Sequence, residues 1–156
     1  MPFPSAGSQA PSFKATASNG KTVSLDEFKG KNIVFYFYPK DDTPGCTVQA
    51  CAFRDSAPVM GKLNAVVLGV SPDNSASHEK FIKKFNLPFL LLADVDKKIC
   101  QAYGVWQEKS MYGRKYMGVA RTTFIINKEG QIVKVFEKVK PEGHAQEVIN
   151  VLKSLE

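Results

Sequence analysis

The residue types and spacing of this chain point to thiol chemistry, centred on Cys46 in the stretch Pro39-Lys40-Asp41-Asp42-Thr43-Pro44-Gly45-Cys46-Thr47-Val48-Gln49-Ala50-Cys51. Thr43 is a good helix N-cap and Pro44 suits the first helical position. Cys46 then becomes the third helical residue, where backbone N–H groups lack intrahelical partners. A thiol at that end of a helix is favoured as its thiolate, the nucleophilic form. A second cysteine, Cys51, follows five residues later. Two thiols so placed predict a redox site.

A lowered thiol pKa is not enough to make a catalyst. A free thiol with a pKa near 8.5 is about 3% ionised at pH 7. Lowering the pKa to about 6 raises the thiolate roughly thirtyfold while nucleophilicity falls about tenfold, a net gain of about threefold. Rate must therefore come from donors aimed at an oxygen or sulfur that gains charge as its bond breaks. The candidates are the N–H groups of the first helical turn, the Thr43 hydroxyl and a cation from elsewhere. Arg121, at the start of a later core strand, is the cation that a strand end could bring to the helix. Pro39 reads as the end of the preceding strand.

Residues five apart on an ideal helix are 7.5 Å apart along the axis and ~140° apart around it. Their Cα atoms are then roughly 8–9 Å apart, beyond the ~7 Å limit for a disulfide. If Cys46 and Cys51 share a helix, joining them requires it to unwind locally. Cys100, between Ile99 and Tyr103 on a short helix, reads as a core residue. Three cysteines with His78 and His144 match no paired zinc-ligand spacing, so no metal site is expected. The adjacent acids Asp41 and Asp42 read as solvated loop residues. No phosphate loop or dinucleotide fingerprint is present, and no cofactor is expected.

The elements that must position Cys46 follow from pattern. Ile33 to Tyr38 is an apolar and aromatic run and reads as a buried central strand. Before it, Phe13–Ala17 and Thr22–Leu25 flank Asn19-Gly20, a strong hairpin signal, and Ser24–Phe28 forms a helical turn. After it come the cysteine helix from Pro44 to about Leu63, a strand over Ala65–Val70 and a helix over Ala76–Phe85. That helix places Phe81 and Phe85 on one face. A strand over Phe89–Leu92 and a short helix over Asp96–Tyr103 come next, and Gly104–Ala120 reads as a long loop. Strands over Arg121–Ile126 and Gln131–Phe136 form a second hairpin. Pro141 opens a final helix with Ala145, Val148, Ile149 and Leu152 on its apolar face. This alternation predicts an α/β fold with parallel crossovers and helices on both faces of the sheet.

The chain has 156 residues, room for one domain spanning 1–156, with no repeat, low-complexity tract or linker to divide it. Its net charge of +6 comes from lysines scattered among acids, which reads as solvated surface and predicts no nucleic-acid partner. No apolar run approaches a membrane span, and the first residues lack the pattern of a signal peptide. An odd number of three cysteines fits a reducing compartment, and a cytoplasmic location is expected.

The pattern Pro39-x-x-x-Thr43-x-x-Cys46 resembles the active-site motif of the peroxiredoxins. The longer stretch from Tyr38 to Thr47, with Cys51 beyond it, is similar to the bacterioferritin comigratory protein (peroxiredoxin Q) subfamily. Gly7-x-x-Ala10-Pro11-x-Phe13, Val70-Ser71-Pro72-Asp73, Tyr103-Gly104-Val105-Trp106 and Arg121-x-Thr123-Phe124 agree with that likeness, which departs at Ser12, where an acid is common. The resemblance implies a thioredoxin-like fold, with a central mixed sheet flanked by helices and an N-terminal β-hairpin. It also implies reduction of hydrogen peroxide and organic hydroperoxides without metal or haem. Cys46 would be the peroxidatic cysteine and Cys51 the resolving one, joined in an intramolecular disulfide that thioredoxin or a glutaredoxin-type reductant reopens. Thr43 and Arg121 would hold the thiolate and polarise the peroxide, and Pro39 would shield the pocket. Resolving cysteines vary within the subfamily, which leaves Cys100 as the alternative to Cys51. An internal disulfide needs no partner subunit, so a monomer is expected.

Overall fold

The structure, a computed structural model, describes residues 3–155. Its centre is β3 (Asn32–Phe37), in which every residue is buried. β-branched and aromatic side chains suit a strand covered on both faces, and their alternation sorts them into two cores. Ile33, Phe35 and Phe37 pack with Phe13, Tyr103 and Phe124 on one face. Val34, Tyr36 and Tyr38 pack with Cys46, Ala50, Phe53, Phe81 and Ile149 on the other. Burying each such apolar side chain contributes about 1.5–3 kcal/mol.

β3 pairs in parallel with β4 (Ala65–Ser71), and β4 with β5 (Leu90–Ala93). On its other side β3 pairs antiparallel with β8 (Thr122–Ile126), which forms a hairpin with β9 (Ile132–Phe136). The N-terminal hairpin of β1 (Lys14–Ala17) and β2 (Thr22–Ser24) joins through β1 to β5. The seven-stranded order β2-β1-β5-β4-β3-β8-β9 is the mixed sheet that the family resemblance implies, with the parallel crossovers that the alternation predicts and the N-terminal hairpin at one edge. Residues 25–28 form the expected turn, a single stretch of 3-10 helix.

Helices cover the two faces unequally. α1 (Pro44–Lys62), α2 (Ser75–Phe85) and α4 (His144–Ser154) contribute to the core beneath Tyr36, whereas α3 (Lys98–Ala102) lies on the opposite face. α4 begins later than Pro141, because Gly143 takes a left-handed φ of 77° and the helix starts only beyond it.

The expected loop over 104–120 is instead a two-stranded hairpin, β6 (Trp106–Met111) and β7 (Arg114–Val119). Its turn residues Tyr112 and Gly113 both have positive φ, 52° and 78°, which suits the twist of a two-residue hairpin turn. Its strands are largely exposed and polar, so they carry no apolar run to mark them.

Candidate active site

The register of the sheet explains why Arg121 and Cys46 meet. β3 ends at Phe37, which pairs with Thr122 at the start of β8. The chain leaving β3 toward α1 and the chain entering β8 therefore share one end of the sheet. Arg121 immediately precedes β8 and α1 begins at Pro44, so a long side chain spans the gap.

Cys46 is the third residue of α1 and is only 1% exposed. Arg121 Nη2 donates to its Sγ at 3.3 Å, and Arg121 Nη1 donates to Gln49 Oε1 at 2.8 Å. One guanidinium thus grips both the thiol and the amide one turn further along the helix. A planar fork with several donors can do this, and a lysine ammonium cannot hold the same geometry. Gly45 makes room for the fork: a Cβ there would lie 3.2 Å from Arg121 Nη2.

Thr43 occupies the N-cap position in extended conformation, yet its hydroxyl does not cap the helix. Thr43 Oγ1 instead donates to the Lys40 carbonyl at 2.9 Å, tightening the loop. Thr43 and Pro39 are both half-buried beside the thiol's loop. Cys51 lies in α1 with Cys46, half-buried, and the two thiols are free. Cys100 is fully buried on α3, on the opposite face of the sheet. Burial, then hydrogen bonding to Asp94 and its charge, push the Cys100 thiol far above its ordinary range.

Several neighbours carried no signal in the sequence. Gln49 is buried, and its Nε2 has no hydrogen-bond partner among the described residues; nor does the buried Tyr36 hydroxyl. Tyr36 packs against Gly69, where a Cβ would come within 2.9 Å of Tyr36 Cζ. Burial, then the nearby Cys46 sulfur, hold the Tyr36 phenol well above its usual pKa. Lys109 on β6 is half-buried; desolvation and then the Arg121 charge lower its pKa, while Cys46 opposes the shift. A cation on the unpredicted hairpin therefore belongs to the electrostatic surroundings of the thiol.

Both histidines are buried. His144 Nε2 lies 2.8 Å from Thr123 Oγ1, tying α4 to β8 two residues beyond Arg121, and burial lowers its pKa. His78 lies 2.7 Å from Asp41, which is 8% exposed rather than solvated like its neighbour Asp42. Asp41, Asp73 and His78 present ligand-type atoms within 4.8 Å of one another. Hydrogen bonds from Tyr38, Ser77, Ser71 and the Asp41 amide already engage those carboxylates, which fits a structural network better than a metal centre.

The arrangement offers a buried nucleophile with a charged donor at its sulfur and a second thiol on the same helix. That equipment suits attack on a polarised bond followed by thiol exchange. Comparison with known proteins agrees. Residues 6–135 match the AhpC/TSA family. The chain is 49% identical to peroxiredoxin Bcp of Bacillus subtilis over 149 residues, covering 96% of this chain and 95% of that one. A structure of Xanthomonas campestris peroxiredoxin Q superposes with a TM-score of 0.90 at 39% identity, covering 96% of this chain and 97% of the other. A structure of the Xanthomonas campestris bacterioferritin comigratory protein also matches, with a TM-score of 0.90, 38% identity and coverage of 97% and 99%. That work concerned alkyl peroxide reduction through trapped intermediate/ligand complexes. No helix among the described residues is long and apolar enough to cross a membrane.

Proposed function

The chain belongs to the AhpC/TSA family as a peroxiredoxin of the Bcp, or peroxiredoxin Q, kind, and from that membership we propose that Cys46 is its peroxidatic cysteine. The Cys46 thiolate attacks the terminal oxygen of a hydroperoxide, the O–O bond breaks, and the alkoxide or hydroxide leaves as an alcohol or water after taking a proton. Cys46 is left as a sulfenic acid, the first rung of thiol oxidation. The Cys51 thiol then attacks the sulfenic sulfur, water departs, and a Cys46–Cys51 disulfide remains. A dithiol reductant of the thioredoxin or glutaredoxin type returns both thiols by exchange.

The observation that carries this reading is the 3.3 Å hydrogen bond from Arg121 Nη2 to Cys46 Sγ. The same charged fork can follow the negative charge as it moves from sulfur to the departing oxygen. Thr43 holds the loop through its hydroxyl, and Pro39 shields the thiol from bulk water. Cys51 is the resolving residue because it shares α1 with Cys46, whereas Cys100 lies beyond the sheet with its thiol kept protonated. Both cysteines lie in one continuous helix, so disulfide formation unwinds the first turns of α1. The bond is internal, which supports a monomer built as one domain over residues 1–156. Thiol chemistry with three cysteines supports a cytoplasmic address.

Mass spectrometry of non-reduced peptides after one equivalent of hydrogen peroxide tests the scheme. The expected product is a Cys46–Cys51 link lighter by two hydrogens. A link from Cys46 to Cys100 would retain the peroxidase and move the resolving role. An unmodified Cys46 would overturn the reading.

A further inference from the structure

Five residues before Cys46, the chain is fastened to α2 by bonds that the chemistry above does not use. Tyr38 Oη donates to Asp41 Oδ1 at 2.5 Å, and Ser77 Oγ donates to Asp41 Oδ2 at 2.8 Å. His78 Nδ1 lies 2.7 Å from Asp41 Oδ2, and its Nε2–H donates to the Leu92 carbonyl at 2.9 Å. A carbonyl only accepts, so Nε2 carries a hydrogen; one further proton holds the Nδ1–Oδ2 contact, whichever atom bears it. The Asp41 amide donates to Asp73 Oδ2 at 2.8 Å, and Ser71 Oγ donates to the same oxygen at 2.8 Å. His78 is fully buried and Asp41 nearly so.

Immediately beyond Asp41 the attachments weaken. Asp42 turns the chain with a φ of 56°, and its carboxylate meets Lys84 only at the exposed surface. From Pro44 to Gln49, the hydrogen bonds among the described residues that tie α1 side chains to the chain beyond α1 are those of Arg121 to Cys46 and Gln49. The buried network therefore marks a boundary. One side is hydrogen-bonded to three elements of the fold; the other packs into the core through Cys46 and Ala50, and among the described residues its side-chain hydrogen bonds to the rest of the fold come from one guanidinium.

We propose, building on the roles given above to Cys46 and Cys51, that Asp41 and His78 are positioning residues that fix the stationary end of the unwinding segment. The pair holds the start of α1 folded against Arg121 without preventing the disulfide. Five extended residues reach roughly 17 Å, so Cys46 can leave its pocket while Asp41 stays in place. The balance between folded and unwound helix decides the fate of the sulfenic acid. In the folded form a second hydroperoxide can oxidise Cys46–SOH to the sulfinic acid, releasing an alcohol or water. In the unwound form the Cys51 thiol displaces water and closes the disulfide. Asp41 and His78 thereby set the partition between overoxidation and turnover.

His78→Phe keeps a ring in the cavity and removes the hydrogen bonds to Asp41 and Leu92 and the 3.5 Å contact with the Tyr38 hydroxyl; Ser77→Ala removes one donor and leaves the Asp41–His78 contact. Under graded hydrogen peroxide, the sulfinic-to-disulfide ratio at Cys46 should fall about tenfold in His78→Phe and by a smaller factor in Ser77→Ala. Oxidation of the unaltered protein should strip amide-exchange protection from residues 44–50 while the Asp41 amide keeps its own. Loss of Asp41 protection on that oxidation, or unchanged ratios in variants that still oxidise, would overturn the proposal. A merely structural network would lower the melting temperature and leave the ratio alone. If His78→Phe does not fold, the shift in Ser77→Ala decides. Failure of Cys46 to oxidise in the unaltered protein would instead sink the peroxidase reading on which the proposal rests.

Discussion

Cys46 and Cys100 are each the third residue of a helix, and each is buried to 1% exposure or less. Their settings are otherwise opposite. At α3 the Asp94 carboxylate accepts from the Ile99 amide at 3.0 Å and the Cys100 amide at 2.7 Å. The helix end is saturated, and a negative charge sits beside the sulfur. At α1 there is no acid in the first turn, Thr43 turns its hydroxyl away, and a guanidinium approaches instead. A helix N-terminus therefore does not by itself make a thiol a catalyst. The side chain that reaches the end, carboxylate at α3 and guanidinium at α1, sets the sign of the charge the sulfur faces.

The largest test of that contrast removes the guanidinium. Arg121→Met should slow hydroperoxide reduction about 10²–10³-fold, the usual cost of losing a charged donor at a developing anion. Stopped-flow oxidation with hydrogen peroxide measures it, and a loss of only a few-fold would break the comparison. Arg121→Lys keeps the charge but not the fork, and should recover only part of the rate.

The pH dependence of stability probes the other cysteine. Burial and Asp94 raise the Cys100 thiol well above the ordinary value of about 8.5, so the folded chain keeps a proton that the unfolded chain releases. Stability from this group is complete below that value and declines as pH rises past it, by up to about 1.4 kcal/mol per pH unit. Denaturation between pH 8.5 and 10 should show a shallower decline in Cys100→Ala than in the unaltered chain. Equal slopes would mean that the Asp94 site does not hold its proton. Buried phenols such as Tyr103 are raised too and add their own decline at higher pH.

The smallest effect belongs to Lys109. Its half-buried ammonium feels both Arg121 and Cys46 without any ion pair among the described residues. Partly exposed charges are strongly screened, so Lys109→Met should slow oxidation by no more than about threefold at physiological salt and flatten its ionic-strength dependence. A hundredfold loss would place Lys109 at the reacting atoms and end the view that Arg121 acts alone.

Much of the site was legible because its signals are local. The Ile33–Tyr38 run, the Thr43-Pro44 helix start and the Asn19-Gly20 turn are each decided within a few residues. The β6–β7 hairpin was not, since Tyr112 takes the turn position usually given to asparagine or glycine, and Met111, Tyr116 and Met117 remain exposed. Asp41 read as solvated because its partner His78 lies 37 residues away, and only folding brings them together. Gln49 looked like any polar helix residue until Arg121 was seen to use it. Pairings made by tertiary structure leave no trace in local pattern.

Arg121 and Cys46 are 75 residues apart in the chain. β3 can pair early with β4, its near neighbour in sequence, but its pairing with β8 closes a far longer loop. As the chain is synthesised from its N-terminus, Cys46 exists before Arg121 does, and domains fold largely as units. Until β8 docks, Cys46 lacks its hydrogen bond from Arg121. Closing that long loop brings Arg121 to Cys46, so the hydrogen bond between them exists only once β8 has joined β3.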